Sequence, residues 1–219
     1  EKRPAMRNAI ADLGEVLVLA QVSNTAQPVL IPNGIVPSHK LVVFASNSRA
    51  LLAILASSIH YVWARKYSGA IKNDLSYSPS DVFLTFPRPP ASSQLEVAGA
   101  VLHQERREIM LRRALGLTKT YNLVNDSSVV GDPDVDRLRE IQVEVDLATA
   151  EAYGWSDVRL DHGFHVYRQI TRWTLSAAAR IEIIDRLLEE NGRRAASEKQ
   201  HGMSTRRCRQ GSEGDTLFE

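Results

Sequence analysis

The residues best suited to chemistry in this chain lie between positions 65 and 88, where cations surround amide and hydroxyl groups. The cations are Arg65, Lys66, Lys72 and Arg88. The polar side chains among them are Asn73, Tyr77, Ser78 and Ser80. Cations neutralise phosphates and release counterions, and polar groups on a loop reach base edges and select sequence. The segment therefore predicts a nucleic-acid contact, although composition by itself favours a surface helix end followed by a polar turn.

A second cationic segment follows in the next predicted helix. Its members are Arg106, Arg107, Arg112, Arg113 and, just beyond the helix, Lys119. Such a row could follow a phosphate backbone, and Lys119 is included among the candidate DNA contacts. The alternative is an ordinary solvated face, because Glu105 and Glu108 are interleaved with the arginines.

No residue pattern in the sequence predicts catalysis. The chain lacks a Gly-rich phosphate loop between a strand and a helix, a Gly-x-Ser-x-Gly elbow and a His-Glu-x-x-His pair. His162 and His165 lie three residues apart, but a zinc site needs further ligands, and none is suitably spaced nearby. We expect these histidines to order a loop beside Trp155 and Trp173. We therefore predict no catalytic residue, no metal and no cofactor in this chain.

Composition restricts the partners and the cellular location expected for this chain. The formal net charge of the 219 residues is +1, so nucleic-acid binding must come from a local patch rather than from overall charge. The single cysteine, Cys208, excludes a disulfide framework and suggests a reducing, cytoplasmic location. Apolar runs such as Leu51–Ala56 are too short to span a bilayer, so no membrane partner is expected. The opening Glu1-Lys2-Arg3-Pro4 suggests a piece of a longer protein.

The first ninety residues predict a small α+β unit with a mixed or antiparallel sheet. Its strands are expected at Leu13–Ser23, at Lys40–Ala45 and again within Ser76–Thr85. One long helix lies between them. Ser46 or Asn47 caps it, and Gly69 ends it just after Tyr67.

Residues 91–192 predict a mainly helical region. Helices are expected from a capping box at Ser93 to about Leu115, from Asp132-Pro133 to Tyr153, and from Ser176 to about Gly192. The intervening segments, Leu117–Asp126 and Trp155–Trp173, are expected to be a connector and an irregular stretch. Residues 193–219 are small, polar and charged, and are predicted to form a disordered tail.

Several motifs of the first half resemble the carboxy-terminal region of large adenine-specific DNA methyltransferases. They are Ser58-Ile59-His60, Trp63-Ala64, Tyr77-Ser78-Pro79-Ser80-Asp81 and Phe86-Pro87-Arg88-Pro89. Matching downstream features are Gly116-Leu117-Thr118-Lys119-Thr120-Tyr121-Asn122, Leu138-Arg139, Asp146, Ala152-Tyr153-Gly154-Trp155 and a last helix ending at Asn191. The family includes fused Type IIG restriction–modification enzymes and the methyltransferases of the BREX and DISARM phage-defence systems. The resemblance covers most of residues 1–192.

The resemblance implies that this chain is a target-recognition region that reads double-stranded DNA. In that family the methyl-transfer domain lies upstream and carries an Asn-Pro-Pro-Tyr motif and an S-adenosylmethionine site, neither of which occurs here. The resemblance therefore implies that the methyltransferase domain is a partner of this chain and that S-adenosylmethionine is a cofactor of the parent enzyme. The parent either only methylates DNA or also cuts it. The resemblance also implies structural roles for Tyr77, Phe86 and Pro87. The loop Ser68–Ser80 is expected to supply DNA contacts. The alternative function is a protein-interaction module that docks a partner subunit without touching DNA.

Overall fold

The computed structural model describes residues 4–71, 74–167 and 169–212. Within them the helices are α1 (Pro4–Ile10), α2 (Arg49–Ala56), α3 (Ser58–Tyr67), α4 (Ser93–Arg112), α5 (Leu117–Val124), α6 (Pro133–Ala152) and α7 (Ala177–Ser212), with a π-helical turn at Pro79–Phe83. The strands are β1 (Glu15–Ala20), β2 (Val22–Ser23), β3 (Val29–Pro32), β4 (Leu41–Phe44), β5 (Gly69–Ile71), β6 (Asp74–Ser76), β7 (Gly163–Tyr167) and β8 (Ile170–Thr174). They form antiparallel sheets in the orders β3-β1-β4, β2-β6-β5 and β7-β8. The predicted α+β class, with a helical second half, is confirmed.

Strand β1 is the central strand of the first sheet, paired with β3 and β4, and both of its faces are covered. Leu17 and Leu19 point into the main core, while Val16 and Val18 pack with Ile10 of α1 on the other face. Alternate residues of a strand face opposite sides, so a strand buried on both sides is apolar throughout. The sequence predicted this strand but not α1, the short helix that covers its outer face.

The long helix predicted to end near Tyr67 is two helices, and this expectation is corrected at Ser57. Ser57 has an extended backbone (φ −66°, ψ 149°), and its hydroxyl accepts a hydrogen bond from the backbone N–H of His60. The same hydroxyl donates to the carbonyl of Ile54 at 2.7 Å, so one side chain serves the end of α2 and the start of α3. The first cap is also shifted: Ser48 caps α2, where Ser46 or Asn47 was expected.

Four further segments differ from the sequence prediction. The strand expected within Ser76–Thr85 stops at Ser76, because Pro79 begins a π-helical turn; proline has no N–H to give to a sheet. The connector 117–126 contains α5, and the irregular stretch 155–173 contains the β7–β8 hairpin. Helix α7 runs past Gly192 to Ser212, into the segment predicted to be a disordered tail.

Apolar residues from both sides of residue 90 share one core. Leu52 and Leu55 of α2 lie in the same buried cluster as Leu95 and Leu102 of α4 and Ile141 of α6. Helix α4 lies so close to α2 that a Cβ on Gly99 would lie 1.9 Å from the backbone oxygen of Arg49. The helical region thus packs directly on the first unit, and the division of the chain at residues 90 and 192 stays a prediction. Among the described residues, no helix is both long and apolar enough to cross a membrane.

The arginines of α4 do not form a free cationic row. Arg106 is buried, and it donates to the Pro28 carbonyl at 2.7 Å, to Gln27 Oε1 at 3.2 Å and to the Tyr121 hydroxyl at 3.3 Å. Arg112 and Arg113 form ion pairs with carboxylates at the start of α6, Asp134 and Asp132. Arg112 and Arg113 thus join helices to one another. The alternative in which this row of cations follows a phosphate backbone therefore rests on Arg107 and Lys119.

Replacing Arg106 with methionine is expected to lower the free energy of unfolding by roughly 2–4 kcal/mol, because three acceptors, two of them buried, lose their donor. The matched control is Arg107→Met, which changes an exposed arginine of the same helix and should stay within about 0.5 kcal/mol of the native chain. Urea unfolding followed by circular dichroism measures both. Equal effects of the two substitutions would contradict the structural role given to Arg106.

Candidate functional site

The site predicted from the sequence rests on a buried pair, His60 of α3 and Tyr77. His60 Nδ1 lies 2.9 Å from the carbonyl oxygen of Leu55. A carbonyl only accepts, so Nδ1 carries the ring proton and Nε2 accepts from the Tyr77 hydroxyl at 3.1 Å. Burial lowers the pKa of His60 to about 4 and raises the pKa of the Tyr77 phenol. Both groups are therefore neutral at physiological pH, as a buried pair must be.

Aromatic rings surround this pair and hold the segment after β6 against α3. The ring centroid of Phe86 lies 5.0 Å from that of His60 and 6.1 Å from that of Trp63. Phe44 of β4 meets Tyr77 edge to face at 6.5 Å. Two aromatic residues of the motifs, Tyr77 and Phe86, are thus core residues, as expected from the sequence. With 1% of its surface exposed, Tyr77 does not present its ring or hydroxyl to solvent.

Two of the predicted contacts come between the strands of a short hairpin. Strands β5 and β6 pair Gly69 with Ser76 and Ile71 with Asp74, and Lys72 and Asn73 lie between these strands in the sequence. Those two predicted contacts lie outside the described residues. The register places Ile71 and Asp74 at the end of the hairpin remote from the α3–β5 junction.

Four more of the predicted residues lie at the end of α3 and in the segment that follows β6. Lys66 is exposed in the last turn of α3. Ser78 Oγ lies 3.0 Å from Ser80 Oγ, and Ser80 donates to Asp81 at 3.3 Å. Arg88 is exposed, with its guanidinium carbon 4.3 Å from the ring centroid of Phe83. These side chains are available to a ligand, although the structure does not bring all four into one cluster.

Arg65 and Lys119 lie on another side of the unit. Arg65 is largely buried, with its guanidinium 5.9 Å from the Tyr61 ring centroid. It lines a polar depression, which we name the hairpin groove, formed by the β2–β3 loop, α3, the end of α5 and the β7–β8 hairpin. The residues that line the groove include Asn24, Arg65, Asn122, Asn125, Thr171 and Arg172. Lys119 is exposed on α5, three residues before Asn122, and so on the same side of that helix.

Sequence reasoning missed most of the groove, including Arg172 and the three asparagines. Arg172 Nη1 donates to the backbone carbonyl of Asn24 at 3.1 Å, although 148 positions separate the two residues. No spacing rule relates such distant positions. The signal that the sequence did contain is the Thr-Arg-Trp-Thr run at 171–174, which alternates as a strand does but was interpreted as irregular.

The two histidines after α6 hold separate structural contacts. His162 Nε2 lies 2.8 Å from Asp146 Oδ2, and Asp146 is fully buried. Asp146 Oδ1 accepts from the backbone N–H of Ser58 at 2.6 Å, so α6 supplies a carboxylate to the N-terminus of α3. His165 Nε2 contacts the Asp161 carbonyl at 2.9 Å. Among the described residues, no group of three or more His, Cys, Asp or Glu side chains could hold a metal ion.

Comparison with known proteins gave one solved structure of similar fold and one family model that matches part of this chain. A search of curated proteins gave no match. A solved structure of the Type IIL restriction–modification enzyme MmeI in complex with DNA matches 84% of this chain, with a TM-score of 0.54 and 17% sequence identity. The match spans 22% of the MmeI chain, so this chain corresponds to about a fifth of that protein and shares its fold there. Residues 15–90, which contain the His60–Tyr77 pair and the β5–β6 hairpin, match the family described as the MmeI target recognition domain.

Proposed function

We propose that this chain recognises a double-stranded DNA sequence as the specificity region of an adenine-specific DNA methyltransferase. The observation that carries the proposal is the match of residues 15–90 to the MmeI target recognition domain. The parent enzyme would belong to a cytoplasmic restriction–modification or phage-defence system, of the Type IIG, BREX or DISARM kind. Its methyltransferase domain would lie outside this chain and would bind S-adenosylmethionine there.

The geometry supports a reading role for the β5–β6 hairpin. The hairpin is fixed at its base by the buried His60–Tyr77 pair, and Lys72 and Asn73 come between its two strands in the sequence. A base-reading group must be held in a defined position beside the duplex, since displacement of the order of 1 Å weakens specific contacts. A rigid core beneath the hairpin meets that requirement. Lys66, Ser78, Ser80 and Arg88 are proposed to contact the duplex from the same unit, while Tyr77 is assigned to its support.

A protein-interaction module is the alternative, and salt dependence separates the two functions. Binding through several phosphates weakens steeply as salt rises, because counterions are released on binding. An interface that is mainly apolar does not respond in this way. The exposed Val22, next to β6, is the kind of side chain that such an interface would use.

The test uses the full chain and a pool of short random-sequence duplexes. We expect the chain to enrich particular sequences, and its affinity for the enriched duplex to fall as salt rises. Lys66→Ala should weaken binding to all duplexes similarly and reduce the salt slope by about 1. Lys40→Ala is the matched control, since Lys40 is an exposed lysine beside β4 in the other sheet. Absence of duplex binding, or binding insensitive to salt, would refute the proposal in favour of a protein partner.

A further inference from the structure

We propose that the hairpin groove is a second duplex-contacting surface, in which Arg172 binds a phosphate of the DNA backbone. This inference rests on the proposed function and extends it. It makes the helical region, through α5 and the β7–β8 hairpin, a participant in DNA binding in addition to a support for the first unit. The ligand is the sugar–phosphate backbone, so the groove would contribute affinity and orientation rather than sequence choice.

Arg172 is held in a defined orientation by the groove. Nη1 donates to the Asn24 carbonyl at 3.1 Å and also to the Tyr61 hydroxyl, and Nε donates to Asn125 Oδ1 at 3.4 Å. The guanidinium carbon lies 5.0 Å from the centroid of the Tyr61 ring. No described residue accepts a hydrogen bond from Nη2. A guanidinium fixed in this way loses little conformational freedom when an anion binds it, which favours affinity.

The rim of the groove carries groups suited to a phosphate backbone. Asn122 and Thr171 are exposed there, and an amide and a hydroxyl are common partners of phosphate oxygens. Lys119 lies one helical turn from Asn122 on the same side of α5. Lys119, which the sequence singled out as a candidate DNA contact, thus lies along the same edge as Asn122 and Thr171, which the sequence did not connect with it.

The charge of the groove favours an anion despite one carboxylate. Arg65 and Arg172 are opposed by the carboxylate of Asp126, whose pKa is lowered further by hydrogen bonds from Ser128. Behind Asp126, the guanidinium of Arg139 donates to its backbone carbonyl at 3.1 Å and also pairs with Asp136, so it is not counted toward the charge of the groove. The lining is therefore net positive before Lys119 is added.

The groove is adjacent to the hairpin that is proposed to read bases. Strands β2 and β6 pair Val22 with Ser76 and Ser23 with Leu75, and the groove residue Asn24 directly follows β2. Paired strands lie about 4.8 Å apart, so this end of the groove begins beside β6. A duplex engaged by the β5–β6 hairpin therefore has its backbone within reach of the groove.

The first variant is Arg172→Gln, tested in the full chain against a random-sequence duplex and against the enriched duplex. We expect roughly tenfold weaker binding to both, consistent with loss of a charge-assisted hydrogen bond, and a salt slope lower by about 1. The sequences enriched from the pool should not change. Arg186→Gln is the control, because Arg186 pairs with Asp157 and Glu182 outside the groove.

A second variant keeps the inference falsifiable if Arg172→Gln unfolds the β7–β8 hairpin. Asn122→Asp adds a negative charge at the exposed rim, and it should weaken binding to all duplexes with an unchanged unfolding midpoint. Asn47→Asp adds the same charge at an exposed position outside the groove and should have little effect.

The outcomes separate this inference from the proposed function. The groove contact would be overturned if a folded Arg172→Gln variant and the Asn122→Asp variant both bound DNA with native-like affinity and salt slope. Continued enrichment of particular sequences in that case would leave the proposed function standing. A change in the enriched sequences would also overturn it, because a phosphate contact carries no sequence information. If the native chain bound no duplex, the proposed function and the groove contact would both fail.

Discussion

Replacing Gly99 with alanine is expected to destabilise this chain strongly. The new Cβ would lie 1.9 Å from the carbonyl oxygen of Arg49 and 2.6 Å from its carbonyl carbon. Both are backbone atoms of α2, so no side chain can rotate away, and α2 and α4 must separate by about 1 Å. Overpacking of this kind costs about 3 kcal/mol or more.

The effect should extend beyond the contact because α2 and α4 join the two halves of the fold. Ser48 at the start of α2 donates to Glu96 of α4 at 3.2 Å, and Leu52 and Leu95 lie in the same core cluster. Separation of the helices opens that core to solvent. We therefore expect Gly99→Ala to lower the unfolding midpoint in urea and, if DNA binding is confirmed, to lower the fraction of chain competent to bind.

Gly192→Ala is the matched control, since Gly192 also lies within a helix but has open space where a Cβ would stand, with no atom beyond its own helical turns within 4 Å. Alanine there should be neutral or stabilising by up to about 1 kcal/mol, because glycine is a poor helix former. Similar effects of the two substitutions would show that α2 and α4 are not in direct backbone contact.

The second large effect is a loss of stability in mild acid, caused by His60. Burial lowers the pKa of His60 from 6.5 to about 4 in the folded chain. The unfolded chain therefore takes up a proton first as the pH falls below 6.5, which favours unfolding. His60 contributes fully above that value, and its contribution falls by about 2 kcal/mol between pH 7.5 and pH 5. Urea unfolding at a series of pH values measures this change.

Other groups act in different pH ranges or more weakly. The lowered pKa values of Asp132 and Glu190 remove stability only in more acidic solution. The pKa of His103 is also lowered, but this side chain is partly exposed and should contribute less.

A His60→Gln variant tests the assignment because glutamine does not titrate. It should be less stable than the native chain at pH 7.5, yet its stability should change less between pH 7.5 and pH 5. If it does not fold, the imidazole resonances of the native chain provide the same test by NMR. A His60 that titrates near its ordinary value would contradict the buried, neutral pair with Tyr77.

The sequence by itself determined the elements whose signals are local. Alternating or continuous apolar residues marked β1 and β4, and Asp132-Pro133 marked the start of α6, where the Asp132 carboxylate accepts from two backbone N–H groups of the first turn. Capping, proline geometry and periodicity act within a few residues. The cationic and polar stretch that carries Lys66, Ser78 and Ser80 was recognisable for the same reason.

Only the tertiary structure decided which of those residues face solvent and which distant ones meet. Arg106 looked like a surface cation but is buried, because Pro28 and Tyr121 surround its guanidinium with acceptors. Ser57 divides one apolar helix into two because its hydroxyl and the Asp146 carboxylate satisfy the new helix start. The hairpin groove joins positions 24 and 172. Side-chain burial and long-range contacts depend on how the helices and sheets pack, and no pattern within a single segment determines that packing.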